Sequence, residues 1–335
     1  MTTFEHGGDI EKFAQEIGCD IDEVIDLSSN INFVKPKIAI DFTNLDISSY
    51  PNYDKLFKNI ADVYGVDTDE IEIFNGGSSA IFTLFRELDL SHCAIYSPAY
   101  LEYKKAAKIF QYKYELINRF TNLNQAIKDN SLIIFVNPST PDGTLYNLEN
   151  LVTYWISKNA VILIDESFLE FTGGISATRY LNKYERLYIL KSMTKFYGSA
   201  GIRIGTLIST PKNIKTIKAK EPRWKISQFD SHYIQSAIAD KTFKRKSSSL
   251  NDEAKSYLEN ILKNSRLIEK IFPSSANFIL VKLKNITAPQ FQEHLKPYKI
   301  MLRDCSNFDF LDNNFVRIAV KNKKLLEKLQ EAICI

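Results

Sequence analysis

Short, uninterrupted apolar runs, each closed by polar residues, recur along the first two thirds of the chain. They are Ala94-Ile95-Tyr96, Leu132-Ile133-Ile134-Phe135-Val136, Ala160-Val161-Ile162-Leu163-Ile164 and Leu187-Tyr188-Ile189-Leu190. Runs of this length without alternation predict strands buried on both faces, as in a parallel sheet. Helical periodicity lies between and before them. Ile10, Phe13, Ala14 and Ile17 share one face and stop at Gly18; Leu56, Phe57, Ile60, Val63 and Tyr64 share another and stop at Gly65. Leu148–Lys158 predicts the crossover helix of a βαβ unit that returns to the Ala160 strand. Asn75-Gly76-Gly77-Ser78-Ser79-Ala80 opens a further helix through Phe85, and Ile25-Asp26-Leu27 predicts a short strand running into a polar turn.

Past Gly205 the pattern changes. Thr206–Ser209 ends the sheet, and helical patterns dominate from Asn213 to about Phe272, where Pro273 stops them. The remainder predicts strand, helix, strand, strand, helix, with Phe278–Val281 and Phe315–Val320 the clearest strands. The expected fold is therefore α/β: a mostly parallel, doubly wound sheet with a smaller α+β lobe. The expected division is 46–232 for the large domain and 1–45 with 233–335 for the lobe.

Composition narrows the class without changing this picture. The 335 residues are 44% hydrophobic and 25% charged, with a net charge of only +3, which is ordinary for a globular chain. No nucleic-acid motif accompanies that small charge, and the basic run Lys241–Lys246 predicts a solvated face. Cys19, Cys93, Cys305 and Cys334 are far apart, so zinc and Cys-x-x-Cys redox motifs are absent and no metal site is expected. The N-terminus lacks an apolar signal core, and no apolar run is long enough to span a bilayer. A reduced, cytoplasmic setting without nucleic-acid or membrane partners is expected.

The chemistry concentrates between Ala160 and Gly205. Active groups in open α/β sheets gather at the carboxyl ends of the strands. Asp165 closes one apolar run, and Lys191-Ser192-Met193-Thr194-Lys195 follows the next. Lys195 stands just past a buried strand, with hydroxyls one and three residues before it and Arg203 eight after it. Such a lysine can form a Schiff base, Ser192, Thr194 and Arg203 can hold a phosphate, and Asp165 can pair with a ring nitrogen. Pyridoxal phosphate asks for that combination. Arg317 lies in a strand otherwise suited to burial, and a buried arginine needs an anion.

With these motifs the chain resembles fold-type-I pyridoxal-phosphate enzymes of the aminotransferase class I/II group, nearest the branch of threonine-phosphate decarboxylases and histidinol-phosphate aminotransferases. The resemblance runs from His6-Gly7-Gly8 to Arg317. It implies that Gly77 and Ser78 cradle the cofactor phosphate, that Tyr100 lies flat on the ring, and that Thr140 takes the place of the asparagine serving the ring hydroxyl. It implies that Tyr50 reaches the phosphate across a homodimer interface. Arg317 is implied to fork the substrate carboxylate, Arg303 to serve the substrate's other end, and His6 and Asn32 to belong to the substrate-binding start of the chain. Phe168 stands where the aminotransferases carry a tyrosine, which favours the decarboxylase branch. The expected activity is decarboxylation of an O-phospho amino acid, threonine or serine phosphate; the alternative is an aminotransferase of the histidinol-phosphate type. A cofactor-binding regulator would carry an added DNA-binding domain, for which no spare segment is expected here.

Overall fold

The computed structural model describes residues 7–334. Its strands, in chain order, are β1 (Ile25–Asp26), β2 (Ile71–Asn75), β3 (His92–Ser97), β4 (Lys113–Asn118), β5 (Leu132–Val136), β6 (Val161–Asp165), β7 (Leu187–Ser192), β8 (Ile204–Ile208), β9 (Ile268–Ile271), β10 (Phe278–Leu283), β11 (Ile300–Met301), β12 (Arg303–Asp304) and β13 (Phe315–Ala319). The large sheet has seven strands in the order β2-β8-β7-β6-β5-β3-β4. All its pairings are parallel except those of β8, which runs antiparallel to both β2 and β7.

The central strands are apolar at every position because both faces are covered. Along β5 and β6 alternate residues enter two separate cores: Ile133, Phe135, Ile162 and Ile164 on one side, Leu132, Ile134, Val161 and Leu163 on the other. The first side is filled by Trp155 from the crossover helix Glu149–Ser157, whose indole N–H donates to the Tyr96 hydroxyl at 3.0 Å. This layering puts the ends of β6 and β7 side by side, with Asp165 opposite Leu190. Gly18 and Gly65 end their helices in the left-handed conformation, as the sequence predicts.

The smaller lobe carries an antiparallel sheet, β12-β13-β10-β9, and the parallel pair β1-β11. Its core joins Leu27 and Ile300 to the long helix Phe243–Asn264 and the final helix Lys323–Ile333. Three features differ from the sequence reading. The expected helical region from Asn213 to Phe272 ends instead in β9, which pairs with β10. Edge strands β2 and β4 also escape the apolar-run criterion. Edge strands such as β4 and β9 are half-exposed, and backbone pairing with a distant strand leaves little periodicity to read. The boundary expected at 232/233 falls inside the helix Gln228–Ala239, whose Ile234 and Ala237 belong to the core of the large sheet. Among the described residues no helix is long and apolar enough to cross a membrane.

Candidate active site

At the carboxyl ends of β5, β6 and β7, beneath the β12-β13 edge of the smaller sheet, lies a cavity of about 280 Å³. Lys195 projects into it from the short helix Met193–Phe196 that follows β7. The turn is pinned from the N-terminal segment. Asn32 donates its backbone N–H to the Lys195 carbonyl at 3.1 Å and its side-chain amide to the Phe196 carbonyl at 2.7 Å. Lys35 Nζ donates to the Gly198 carbonyl at 2.5 Å. Burial pushes the Lys195 amine down to about 8, and the charges of Arg317, Arg203 and Lys321 act in the same direction.

Asp165, at the end of β6, is buried and lines the same cavity. Burial raises its pKa, opposed by the donors that hold it. Ser167 gives its backbone N–H at 2.9 Å and its hydroxyl at 2.5 Å to Oδ1; Tyr103 gives its phenol to Oδ2 at 2.6 Å. Tyr103 is fully buried and was not among the residues picked out for the site from sequence. The signal for it was faint, a second tyrosine three residues after Tyr100.

At one end of the cavity, groups that could hold a phosphate converge. The helix Gly76–Glu87 begins there, and Gly77 and Ser78 line the wall with Ser192, Thr194 and Arg203. Gly76 sits at φ +78°, and a Cβ there would stand 2.6 Å from Arg203 Nη2. A Cβ at Gly205 would come within 2.6 Å of the Gly76 carbonyl carbon. Two glycines thus let the arginine and β8 close on a helix N-terminus, where N–H groups and the helix dipole favour an anion. Tyr100 lines the same wall, its hydroxyl 3.3 Å from that of Ser78.

The far side is cationic. Arg303 and Arg317 are directly paired across β12 and β13, and both reach the cavity. Arg317 donates to the Thr140 hydroxyl at 3.0 Å and the Ser28 carbonyl at 3.2 Å. Its Nε is buried without a hydrogen bond, and burial pushes its pKa down to about 10. Arg303 donates to Asn307 Oδ1 at 2.7 Å and lies over the Phe308 ring. The Thr140 carbonyl is held by the buried Arg119 at 2.5 Å. Phe168 lines the cavity and packs edge-on against Phe278, their centroids 5.0 Å apart.

Two expected residues stand outside this cavity. Asn32 is buried outside the cavity, its amide spent on Phe196, Ser247, Val34 and Asn251. Its position is corrected from substrate ligand to the brace of the Lys195 turn, because every polar atom of its side chain is already used inside the protein. Tyr50 is 74% exposed and stacks on Trp224 at 4.1 Å, away from this chain's own cavity. His6 lies outside the described residues. Gly7, Ser28 and Ser29 line the cavity in addition.

The donor set fits pyridoxal phosphate: a helix N-terminus with hydroxyls and Arg203 could hold its phosphate, the buried Asp165 could meet its ring nitrogen, and Lys195, an amine of lowered pKa, lines the same cavity. Residues 22–333 match the model of the family described as aminotransferase class I and II. The chain is 31% identical, over 98% of its length, to the adenosylcobalamin biosynthesis bifunctional protein of Leptospira interrogans, and spans 41% of that protein. It is 30% identical to a protein of Caldanaerobacter subterraneus provisionally named threonine-phosphate decarboxylase, over 97% of this chain and 91% of that one. The solved histidinol-phosphate aminotransferase from Clostridium acetobutylicum superposes with a TM-score of 0.81 at 28% identity, covering 92% of this chain and 97% of that one.

Proposed function

This chain belongs to the aminotransferase class I and II family, and we propose that it decarboxylates an O-phospho amino acid, L-threonine or L-serine O-phosphate. Its cofactor is pyridoxal 5′-phosphate, which when bound supplies an electron-accepting ring for the bond broken at the substrate α-carbon. The protein's own groups do the rest. Ser192, Thr194, Arg203 and the N-terminus of Gly76–Glu87 hold the cofactor phosphate. Tyr100 restrains the ring, and Asp165 keeps a proton on the ring nitrogen. Lys195, near neutrality a mixture of amine and ammonium, attaches the cofactor and then carries protons at the α-carbon. In the reaction the bond from Cα to the carboxylate breaks, its electron pair stays with Cα, carbon dioxide leaves and Cα takes up one proton.

The observation that carries this reading is the Arg303–Arg317 pair, two guanidiniums set side by side toward one cavity. They suit a small substrate with two anionic groups, a carboxylate and a phosphate. Phe168 adds support, since a phenylalanine offers the ring hydroxyl no donor. The likeness to the relative named threonine-phosphate decarboxylase points the same way. The alternative is an aminotransferase of the histidinol-phosphate type, favoured by the likeness to the solved Clostridium acetobutylicum enzyme. The exposed Tyr50–Trp224 stack supports a homodimer in which Tyr50 serves the partner's cavity.

The test is product analysis of the holoenzyme with O-phospho-L-threonine, O-phospho-L-serine and histidinol phosphate. Carbon dioxide release with equimolar phosphorylated amine is expected from one of the first two. Amine transfer to 2-oxoglutarate without carbon dioxide overturns the reading in favour of the aminotransferase.

A further inference from the structure

Asp165 presents an unusually complete set of hydrogen bonds for a carboxylate on a cavity wall. An ionised carboxylate has about four acceptor sites. Two on Oδ1 are taken by the N–H and hydroxyl of Ser167, and one on Oδ2 by Tyr103. The site left over belongs to Oδ2, the oxygen that Tyr103 holds, and Asp165 lines the cavity. The phenol therefore decides which way the last acceptor site faces. It also decides how readily the carboxylate stays charged, because a donor aimed at the ionised form favours that form.

From this geometry we propose that Tyr103 is a positioning residue of the reaction. It aims the one open acceptor site of Asp165 at the cofactor ring nitrogen and keeps the carboxylate ionised so that the nitrogen stays protonated. The inference rests on Asp165 being the ring partner. Tyr103 does not touch the reacting atoms itself; it acts through Asp165.

Three features show that this contact is more than a satisfied core tyrosine. The phenol donates to a carboxylate oxygen at 2.6 Å, so the bond is charge-assisted whenever Asp165 is ionised. Tyr103 is completely buried, so no water replaces the donor if it is lost. The helix Leu101–Ile109 that carries Tyr103 follows directly on Tyr100, and the two rings meet edge to face with centroids 6.3 Å apart. Tyr100 lines the cavity and Tyr103 stands behind it, so one turn of helix supplies both the face of the ring and the aim of its counter-ion.

The other charges around Asp165 are fixed on separate elements. Lys191 on β7 is buried and tied to Glu166 at 2.7 Å, and its charge favours ionised Asp165. Lys195 lines the same cavity, and the charge of Asp165 favours its ammonium form. Burial works against all of these by raising the Asp165 pKa. The Tyr103 phenol keeps its own proton, because burial and the Asp165 charge both push its pKa well up. It is therefore a permanent donor across the working pH range. Removing it raises the proton affinity of Asp165. The acid limb of the kcat profile, which requires ionised Asp165, should then move to higher pH.

The experiment compares wild type, Tyr103→Phe, Asp165→Asn and, as a control, Tyr112→Phe. The Tyr112 hydroxyl is also a buried donor, but to the Phe85 and Leu88 carbonyls. Holoenzymes are loaded with cofactor labelled with ¹⁵N in the ring, and the ring resonance is followed by NMR beside kcat against pH. For Tyr103→Phe the resonance should move toward the unprotonated position. The acid limb should rise by about one pH unit, the tenfold change that one charge-assisted hydrogen bond is worth. Cofactor content and KM should stay near wild type, and Tyr112→Phe should leave both readouts unmoved. An unmoved resonance and limb in Tyr103→Phe, while Asp165→Asn shifts the resonance, overturns the role of Tyr103 alone. If Asp165→Asn also leaves the resonance in place, the ring partner itself is wrong. Should Tyr103→Phe not fold, 3-fluorotyrosine placed at Tyr103 gives a stronger donor on the same ring. It must lower the acid limb, and no movement rejects the proposal.

Discussion

Replacing Arg317 separates a substrate-binding arginine from a structural one. The guanidinium is buried in β13, and its two hydrogen-bond partners, the Thr140 hydroxyl and the Ser28 carbonyl, are neutral. Its pKa, pushed down to about 10, still leaves it charged at pH 8. A buried cation facing neutral oxygens is costly to the free protein and repaid only by an anion. Arg317→Lys keeps a charge but loses the fork, hence about one charge-assisted hydrogen bond and its alignment. That amounts to about 2–3 kcal/mol, or roughly 30- to 150-fold in Kd. Arg317→Met removes the whole interaction, with a loss of up to about 5 kcal/mol in binding. The assay is spectral titration of the holoenzyme with O-phospho-L-threonine and with the matching phosphorylated amine that lacks the carboxylate. If Arg317 grips the carboxylate, only the acid is weakened. Thermal unfolding of the apoprotein gives the second half of the test. Arg317→Met should leave stability unchanged or raised, because a buried guanidinium hydrogen-bonded only to neutral oxygens, beside the like charge of Arg303, is replaced by an apolar side chain of similar length. Equal weakening of acid and amine would reassign Arg317 to the phosphate end. A stability loss of about 3–5 kcal/mol in Arg317→Met would refute the reasoning and make the arginine structural.

Other outcomes follow from the same site. Covalent capture of added pyridoxal phosphate by the apoprotein should speed up as pH rises from 7 to 9, with a midpoint near 8. The lowered Lys195 pKa makes the neutral amine dominant above that point; borohydride reduction and peptide mapping should label Lys195, and a midpoint near that of a free lysine would reject the assignment. Gly76→Ala should weaken cofactor binding by at least about tenfold, equivalent to about 1.4 kcal/mol. Its Cβ meets Arg203 Nη2 at 2.6 Å on a backbone with φ +78°; equilibrium dialysis of the cofactor checks this. Asn32→Ala should cost about 1–3 kcal/mol of stability through the donors and acceptors it strands. It should change KM little once the enzyme is loaded, as chemical denaturation beside steady-state kinetics would show.

Local chemistry was legible in the chain because it is local. The uninterrupted apolar runs of β5, β6 and β7 signal strands covered on both faces, and those of β6 and β7 end on the groups they present: Asp165, and the turn carrying Ser192, Thr194 and Lys195. Gly76 and Gly77 mark the helix start that Arg203 closes on, eight residues past the lysine. What folding alone decided is what brings distant residues into contact. Tyr103 reaches Asp165 across 62 residues of sequence because one turn of the helix after β3 overlies the end of β6. Arg303 and Arg317 become neighbours only through the antiparallel register of β12 and β13. Asn32 reads as a polar residue at the mouth of a site, yet it folds inward and spends its amide on Phe196, Ser247 and Asn251. Tyr50 keeps its place before the helix Asp54–Tyr64 but stacks on Trp224 at the surface. Periodicity records which face of an element is covered, whereas the partner of a side chain depends on pairing between elements, a long-range property that no run of neighbouring residues encodes.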